Sequence, residues 1–441
     1  MKTFRIGVVV VIAMTLVGIS AARGGDAPAA SPPPVVPAAT ASPAPAAPAA
    51  ATPAAPATPV APTTFTRAKT DPPSLILTPG REFAADSYVH KPLPADAPLD
   101  PHSAEYVADL LRQIKQFYGT VNVNYHNYAP PIYQVGPDQP TVRVRAHDRK
   151  KPEWKFPPLQ ALWEAVPLPD DFQASPGTDQ EAVVYQPSTG RYWEFWQMQK
   201  TGEKTRDSAG REVDEWGARW GGRIDNLATS PGYVPTTKEG YKFGTTATSL
   251  PLLAGLLTID EQLRGEVNHA LHMALVETLA WQYWSHPAQR SDGHISPEKN
   301  PYAIPEGATF RLPADLDLDK IAMDPYARMI AKAVQKYGLV VRDKAGATVL
   351  YAENPAGRYA VDPYTWIFRG RKPEEKSFPA YARLKSFPWD KLQMLKPQMN
   401  KPIPAPAAKP AEPEAKPAAE PAAKPAAEPA AAPANAAPKA P

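Results

Sequence analysis

The segment Tyr192-Trp193-Glu194-Phe195-Trp196 sets one carboxylate among four aromatic rings. On a strand running from Arg191 to Gln199, successive side chains point to opposite faces. Tyr192, Glu194, Trp196 and Met198 share one face; Trp193, Phe195 and Gln197 share the other. Both faces are aromatic, so Glu194 has apolar neighbours whichever face is inside. Burial of that kind raises a carboxyl pKa, which suits a general acid. Rings beside a carboxylate also suit a sugar, whose C–H faces stack on rings while its hydroxyls donate to the acid. The residues therefore point to glycan cleavage, with Glu194 as acid and Asp225 or His269 as base. Trp193, Trp196, Asn226, Trp284, His286 and Arg290 are the expected ligand-binding groups. The structural alternative is a buried Glu194 paired with Arg219 or Arg223.

Other residue groups offer chemistry and a plainer reading beside it. Val267 to Val276 reads as a strand, with Val267, His269, Leu271, Met273 and Leu275 on one face. His272 falls on the opposite face, so the two histidines are not a metal pair. Asp260 and Glu261 look like a carboxylate pair, but Thr258-Ile259-Asp260-Glu261 spells a helix capping box. Trp216 to Asn226 is rich in Trp, Gly and Arg; it is either a bulged strand entering a turn or a backbone that a ligand approaches. Trp281, Tyr283, Trp284, His286, Gln289 and Arg290 either line a sugar cleft or pack a strand exit. Asp315, Asp317 and Asp319 invite a calcium loop, yet the sixth and twelfth positions are Lys320 and Tyr326 where Gly and Glu are needed. A solvated strand edge fits them better. No G-x-S-x-G elbow, P-loop, dinucleotide fingerprint or H-E-x-x-H is present. We expect no metal and no cofactor.

These residues need a scaffold. A helix is predicted from Pro101, capped by Asp100, with Val107, Leu110, Leu111, Ile114, Phe117 and Tyr118 at helical spacing and Gly119 as its end. A second runs from Asp324-Pro325 through Met329, Ile330 and Val334 to Gly338, and a short one covers 158–165. Elsewhere the period is two. Ala182–Gln186 and Arg191–Gln199 read as a hairpin around Pro187-Ser188-Thr189-Gly190. Thr141–Arg145 and Thr309–Leu312 read as strands. Leu339–Arg342 and Thr348–Ala352 read as a second hairpin turning at 343–346. Many strands with few helices between them predict a mainly β fold, an antiparallel two-layer sandwich resembling a jelly roll, with a few peripheral helices.

Composition sets the frame. The chain has 441 residues, 57 of them Pro and none Cys, with 48 Lys+Arg against 45 Asp+Glu. Near-neutral charge argues against nucleic acid as partner. Zero Cys excludes disulfides and thiolate chemistry. Lys2, Arg5, the apolar run Ile6–Ile19 and Ser20-Ala21-Ala22 read as a signal peptide over 1–22, too short for a membrane span, which predicts a secreted or cell-envelope protein with no integral span after cleavage. Residues 23–64 are an Ala/Pro-rich linker. Residues 401–441 are an Ala/Pro/Lys/Glu tail in which Lys-Pro-Ala-Ala-Glu-Pro-Ala-Ala recurs at Lys416 and Lys424. Both tails are expected to be disordered spacers. Residues 65–130 are expected to wrap the surface with one amphipathic helix, and 131–400 to form the β-sandwich.

One ordered set of motifs is distinctive. Trp193-Glu194-Phe195 closes a hairpin; then come Leu250-Pro251 and Gly255-Leu256, Asp260-Glu261, Gly265, His269-Ala270-Leu271, His286-Pro287-Ala288 and Lys336-Tyr337-Gly338. The series resembles a recurring pattern in secreted bacterial proteins of uncharacterised activity, over roughly 130–395. The resemblance implies an exported domain of a recurrent type and no particular reaction. The function expected is carbohydrate binding or processing, by a hydrolase or lyase if an enzyme, with a polysaccharide or cell-envelope glycan as partner. The alternative is a non-catalytic structural or adhesin-like envelope module.

Overall fold

A computed structural model describes residues 82–368 and 383–403. The expected signal peptide, the 23–64 linker and the tail beyond 403 lie outside the described residues. The strands are β1 (Asn122–Asn124), β2 (Ile132–Gln134), β3 (Arg145–Ala146), β4 (Ala182–Gln186), β5 (Arg191–Trp196), β6 (Gln199–Arg206), β7 (Glu212–Ala218), β8 (Trp220–Ile224), β9 (Leu271–Leu275), β10 (Thr309–Arg311), β11 (Leu339–Lys344), β12 (Val349–Tyr351) and β13 (Gln393–Met394). The helices are α1 (Ser103–Gln116), α2 (Pro157–Gln160), α3 (Ile259–Arg264), α4 (Pro325–Tyr337) and α5 (Tyr364–Ile367). No described helix is long and apolar enough to cross a membrane.

The strands form three sheets, ordered β1-β12-β9-β11-β10-β13, β2-β4-β5-β8 and β3-β7-β6. The β-rich expectation stands, but the pairing is mixed. β1–β12, β9–β11, β2–β4 and β3–β7 are parallel. The predicted hairpin of β11 and β12 does not form. β9 inserts between them, parallel to one and antiparallel to the other. The physical reason is burial: Leu-His-Met-Ala-Leu is buried at every position, so both of its edges and both of its faces must be covered. The strand is shorter than the predicted Val267–Val276 and leaves His269 outside it.

β9 divides two cores. Leu271, Met273 and Leu275 pack with α1, α4, Leu339, Val341 and Leu350. Ala274 on the opposite face packs with Val349, Tyr351, Leu252, Ala254 and residues of the β4–β5 hairpin. α4 follows its predicted grammar: the Asp324 carboxylate accepts from the Tyr326 N–H, Pro325 opens the helix and Gly338 ends it. Its buried stripe of Met329, Ile330, Ala333 and Val334 docks on the first core, each large side chain contributing about 1.5–3 kcal/mol. The 82–130 segment does more than wrap the surface. Leu110, Val121 and Val123 enter that core, and β1 is a strand of the six-stranded sheet.

Candidate functional site

The β4–β5 hairpin forms as predicted, with Gly190 at φ 69° in its turn. Glu194 stands opposite Val183 on one side and Gly222 on the other. It is fully buried. Its Oε2 accepts from the Tyr192 hydroxyl at 2.6 Å and the Leu252 N–H at 2.8 Å, and its Oε1 accepts from the Thr245 N–H at 2.7 Å. Burial pushes its pKa up, while these donors and the Arg342 charge pull against that. Neither Arg219 nor Arg223 is its partner; they pair with Asp148 and Asp225. Glu194 thus ties down both ends of the loop 245–252, and no face of it meets solvent.

The same loop is held from the opposite side. Arg290 donates to the carbonyls of Gly244 and Thr246, both at 2.8 Å, and to the Ser249 hydroxyl. The Thr248 hydroxyl donates to the Arg342 carbonyl at 2.6 Å, and the Asp343 carboxylate accepts from the Ala247 N–H. Gly255 closes the segment at φ 69°. A Cβ there would sit 2.2 Å from the His272 ring, so only glycine fits.

The other expected residues lie apart. His269 is buried, its Nε2 3.1 Å from Glu261 and its Nδ1 2.7 Å from the Ala270 carbonyl. Its pKa is raised, burial being outweighed by Glu261 and the carbonyl. Asp225 is 67% exposed and pairs with Arg223 at 2.9 Å and Arg191 at 3.5 Å. Among the described residues no hydrogen bond or ion pair joins any two of Glu194, His269 and Asp225. Asn226 caps the turn Leu227–Thr229. Trp193 is buried; half-buried Trp196 donates its indole N–H to Asp179 at 3.1 Å. Trp284 lies under the Lys242 ammonium, and exposed His286 meets Tyr233 edge-on. The Thr258–Glu261 capping box is present, and Asp260 instead binds Arg358 and Tyr359. Asp317 caps a short turn, not a strand edge. Asp225→Asn should leave stability within about 0.5 kcal/mol of the parent in a urea melt, since exposed pairs contribute little; a larger loss would place Asp225 in a role that its surface position does not show.

Two carboxyl groups that no local motif marks, Glu181 and Asp343, have the raised pKa values expected of a catalytic acid. β11 carries a bulge after Val341. Val341 stands opposite Met273, and the next partner, Ala274, stands opposite Asp343. The extra residue, Arg342, therefore points to the same side as Asp343. That side faces the β4–β5 hairpin. Arg342 is buried with its guanidinium 3.7 Å from the Tyr351 ring centre. Glu181, the residue before β4, comes from the hairpin side, in the field of Arg342, Asp343 and Glu194.

Glu181 and Asp343 are surrounded deeply by protein yet keep a solvent-accessible edge. Burial, the largest cause, pushes Glu181 up to about 8 and Asp343 up to about 6, with Arg342 opposing both shifts. In the same sheet as the hairpin, half-buried Trp196 and Trp220 stand opposed across β5 and β8; Arg219 lies 5.5 Å from the Trp196 ring centre, and Phe156 stacks on Trp220 with Arg290 5.7 Å from its ring centre. The backbone is strained at the same place: Gln180, Gln197 and Ser249 all hold positive φ, of 44°, 52° and 64°. Beyond Asp343, buried Glu306 hydrogen-bonds Asp292, and burial holds its carboxyl well above the usual range. The sequence carried one weak signal for this site, a charged pair closing an apolar strand at Arg342-Asp343. The bulge that aims both inward depends on pairing with β9.

No family model, curated protein or solved structure matches the chain.

Proposed function

We propose that this is an exported carbohydrate-processing protein, with Glu181 as general acid and Asp343 as base or nucleophile. The observation that carries the reading is the Glu181–Asp343 pair itself. The Asp343 charge acts on Glu181, and burial raises the two carboxyl groups unequally, to about 8 and about 6. At neutral pH one then holds a proton and the other is ionised, the division that glycosidic cleavage requires. Glu181 protonates the leaving oxygen; Asp343 activates water or attacks the sugar carbon. Half-buried Trp196 leaves part of its surface for a sugar to pack on, and Arg342 favours the ionised form of Asp343 against the effect of burial. Release of reducing ends from a polysaccharide panel should follow a bell in pH, with limbs near 6 and 8. No turnover on any glycan, or a profile without those limbs, would overturn the catalytic assignment.

A test that needs no substrate uses stability. The ordinary values are 4.5 for Glu181 and 3.8 for Asp343, so both are raised in the folded state. The native protein keeps protons that the unfolded chain has already lost. This contribution is fully present below the unfolded values and is lost as pH rises, from about 3.8 to about 6 for Asp343 and from about 4.5 to about 8 for Glu181. Thermal melts across that window should fall with pH, and Glu181→Gln should flatten the upper part. Parallel curves for wild type and variant would mean that Glu181 titrates normally.

The alternative, a non-catalytic envelope module, has one observation in its favour: Glu194, Trp193 and His269 are consumed by internal packing. Under it, Glu181→Gln changes the melting profile and no ligand or turnover measurement.

A further inference from the structure

Two adjoining cavities, of about 430 and 360 Å³, lie along β6 and β7 and share Asp170, Phe172, Lys200 and Trp216 in their walls. We infer that this groove is a distal glycan-binding subsite that takes a neutral oligosaccharide chain, an inference that rests on the carbohydrate reading and deepens it. Trp216 is half-buried, and Phe172 props it edge-on with ring centres 4.8 Å apart. That contact, with the Lys200 ammonium 5.8 Å from the Trp216 ring centre, holds the indole in the wall common to both cavities, where a sugar ring can pack against it.

Charge selects the ligand. The lining holds five carboxylates, Asp170, Asp171, Asp207, Glu212 and Asp214, against three cations, Lys200, Lys204 and Arg211. The cations are already engaged. Lys200 and Lys204 reach Asp214 at 2.6 and 2.5 Å, and Arg211 reaches Asp170 and Asp207 at 3.0 and 2.8 Å. An anionic polymer would meet net negative charge and no uncommitted cation. Hydroxyls suit the remaining lining, which offers Gln173, Gln180, Gln199 and Ser175. The groove also abuts the proposed reaction cleft. Gln180 precedes Glu181, and the Ser175 hydroxyl accepts from the Glu181 N–H at 2.9 Å. A chain bound at Trp216 would thus lie beside the segment that carries the acid.

The experiment is calorimetric titration of the full chain with neutral hexasaccharides of the β-1,4-glucan, xylan, mannan and N-acetylglucosamine series. At least one should bind, Trp216→Ala should weaken it about tenfold or more, and Trp216→Phe should restore most of the affinity. Gln173→Ala, at an exposed wall position, covers the case in which Trp216→Ala fails to fold, and should weaken binding severalfold. Glu181→Gln should bind as wild type. Loss of turnover with binding kept therefore separates the cleft from the groove, and binding through Trp216 without turnover in any protein would remove the enzyme and leave the subsite. No binding by wild type, or binding indifferent to Trp216 and Gln173, overturns the subsite. So does a peptide of residues 404–441 that binds a chain truncated after 403 through Trp216 while no glycan does, since the occupant would then be the protein's own proline-rich tail.

Discussion

Under the proposed glycan cleavage, Glu181→Gln is expected to lower kcat by about 10²–10⁴-fold while KM changes little. The side chains are nearly isosteric, and at neutral pH a carboxyl raised to about 8 is uncharged, as an amide is. Ground-state contacts therefore survive the exchange, and only the transferable proton is lost. The alkaline limb of the pH profile should vanish with it. Asp343→Asn should cost a similar factor and remove the acidic limb near 6. It differs in one respect: the amide cannot titrate, so the fall in stability that Asp343 causes between about pH 3.8 and about 6 should disappear from the variant's melts. If Glu181→Gln retains most of its turnover, the acid is elsewhere. If it raises KM and spares kcat, Glu181 binds substrate and does not donate to it.

How much of this was legible depended on how local each cause was. The β4–β5 hairpin, the Asp324-Pro325…Gly338 helix and the Thr258–Glu261 capping box each follow from residues within a few positions of one another. Sheet order does not. Asp343 to Gly346 reads as a turn, and nothing local reveals that β9, dozens of residues upstream, separates the strands on either side of it. The grouping of Arg342 and Asp343 escaped the sequence for the same reason. Arg342 and Asp343 would face opposite sides on a regular strand, and only the bulge against β9 brings them together. Glu181 was hidden by its position, the last residue before a strand, where a carboxylate normally lies in solvent. The motif series that marks the resemblance has a physical meaning of a different kind. Its members touch one another or residues beside one another in the series: Glu194 holds Thr245 and Leu252, Gly255 lies under His272, Glu261 meets His269, and the Leu271 N–H donates to the Gly338 carbonyl. The series outlines a packing skeleton, and Glu181 and Asp343 lie outside it.

That distinction makes Glu194 the position where a catalytic and an architectural role diverge most in what they predict. Glu194→Ala is expected to cost about 3–5 kcal/mol, because it strands two backbone N–H groups and one tyrosine hydroxyl in a dry site, each at about 1–3 kcal/mol, with partial relief from no longer burying a charge. Against the roughly 5–15 kcal/mol typical of a folded domain, that loss is large enough to read directly in a urea melt. Its local signature should be faster amide exchange at Thr245 and Leu252, the two N–H groups released, with α4 unchanged at the far side of β9. Glu194→Gln keeps one acceptor oxygen but turns an NH₂ toward a donor, and should fall between wild type and alanine. A catalytic acid would show the reverse, because removing a buried carboxylate that is held for chemistry leaves stability equal or higher while turnover collapses. Unchanged melts and unchanged exchange at Thr245 in Glu194→Ala would therefore return Glu194 to the reaction and remove it from the architecture.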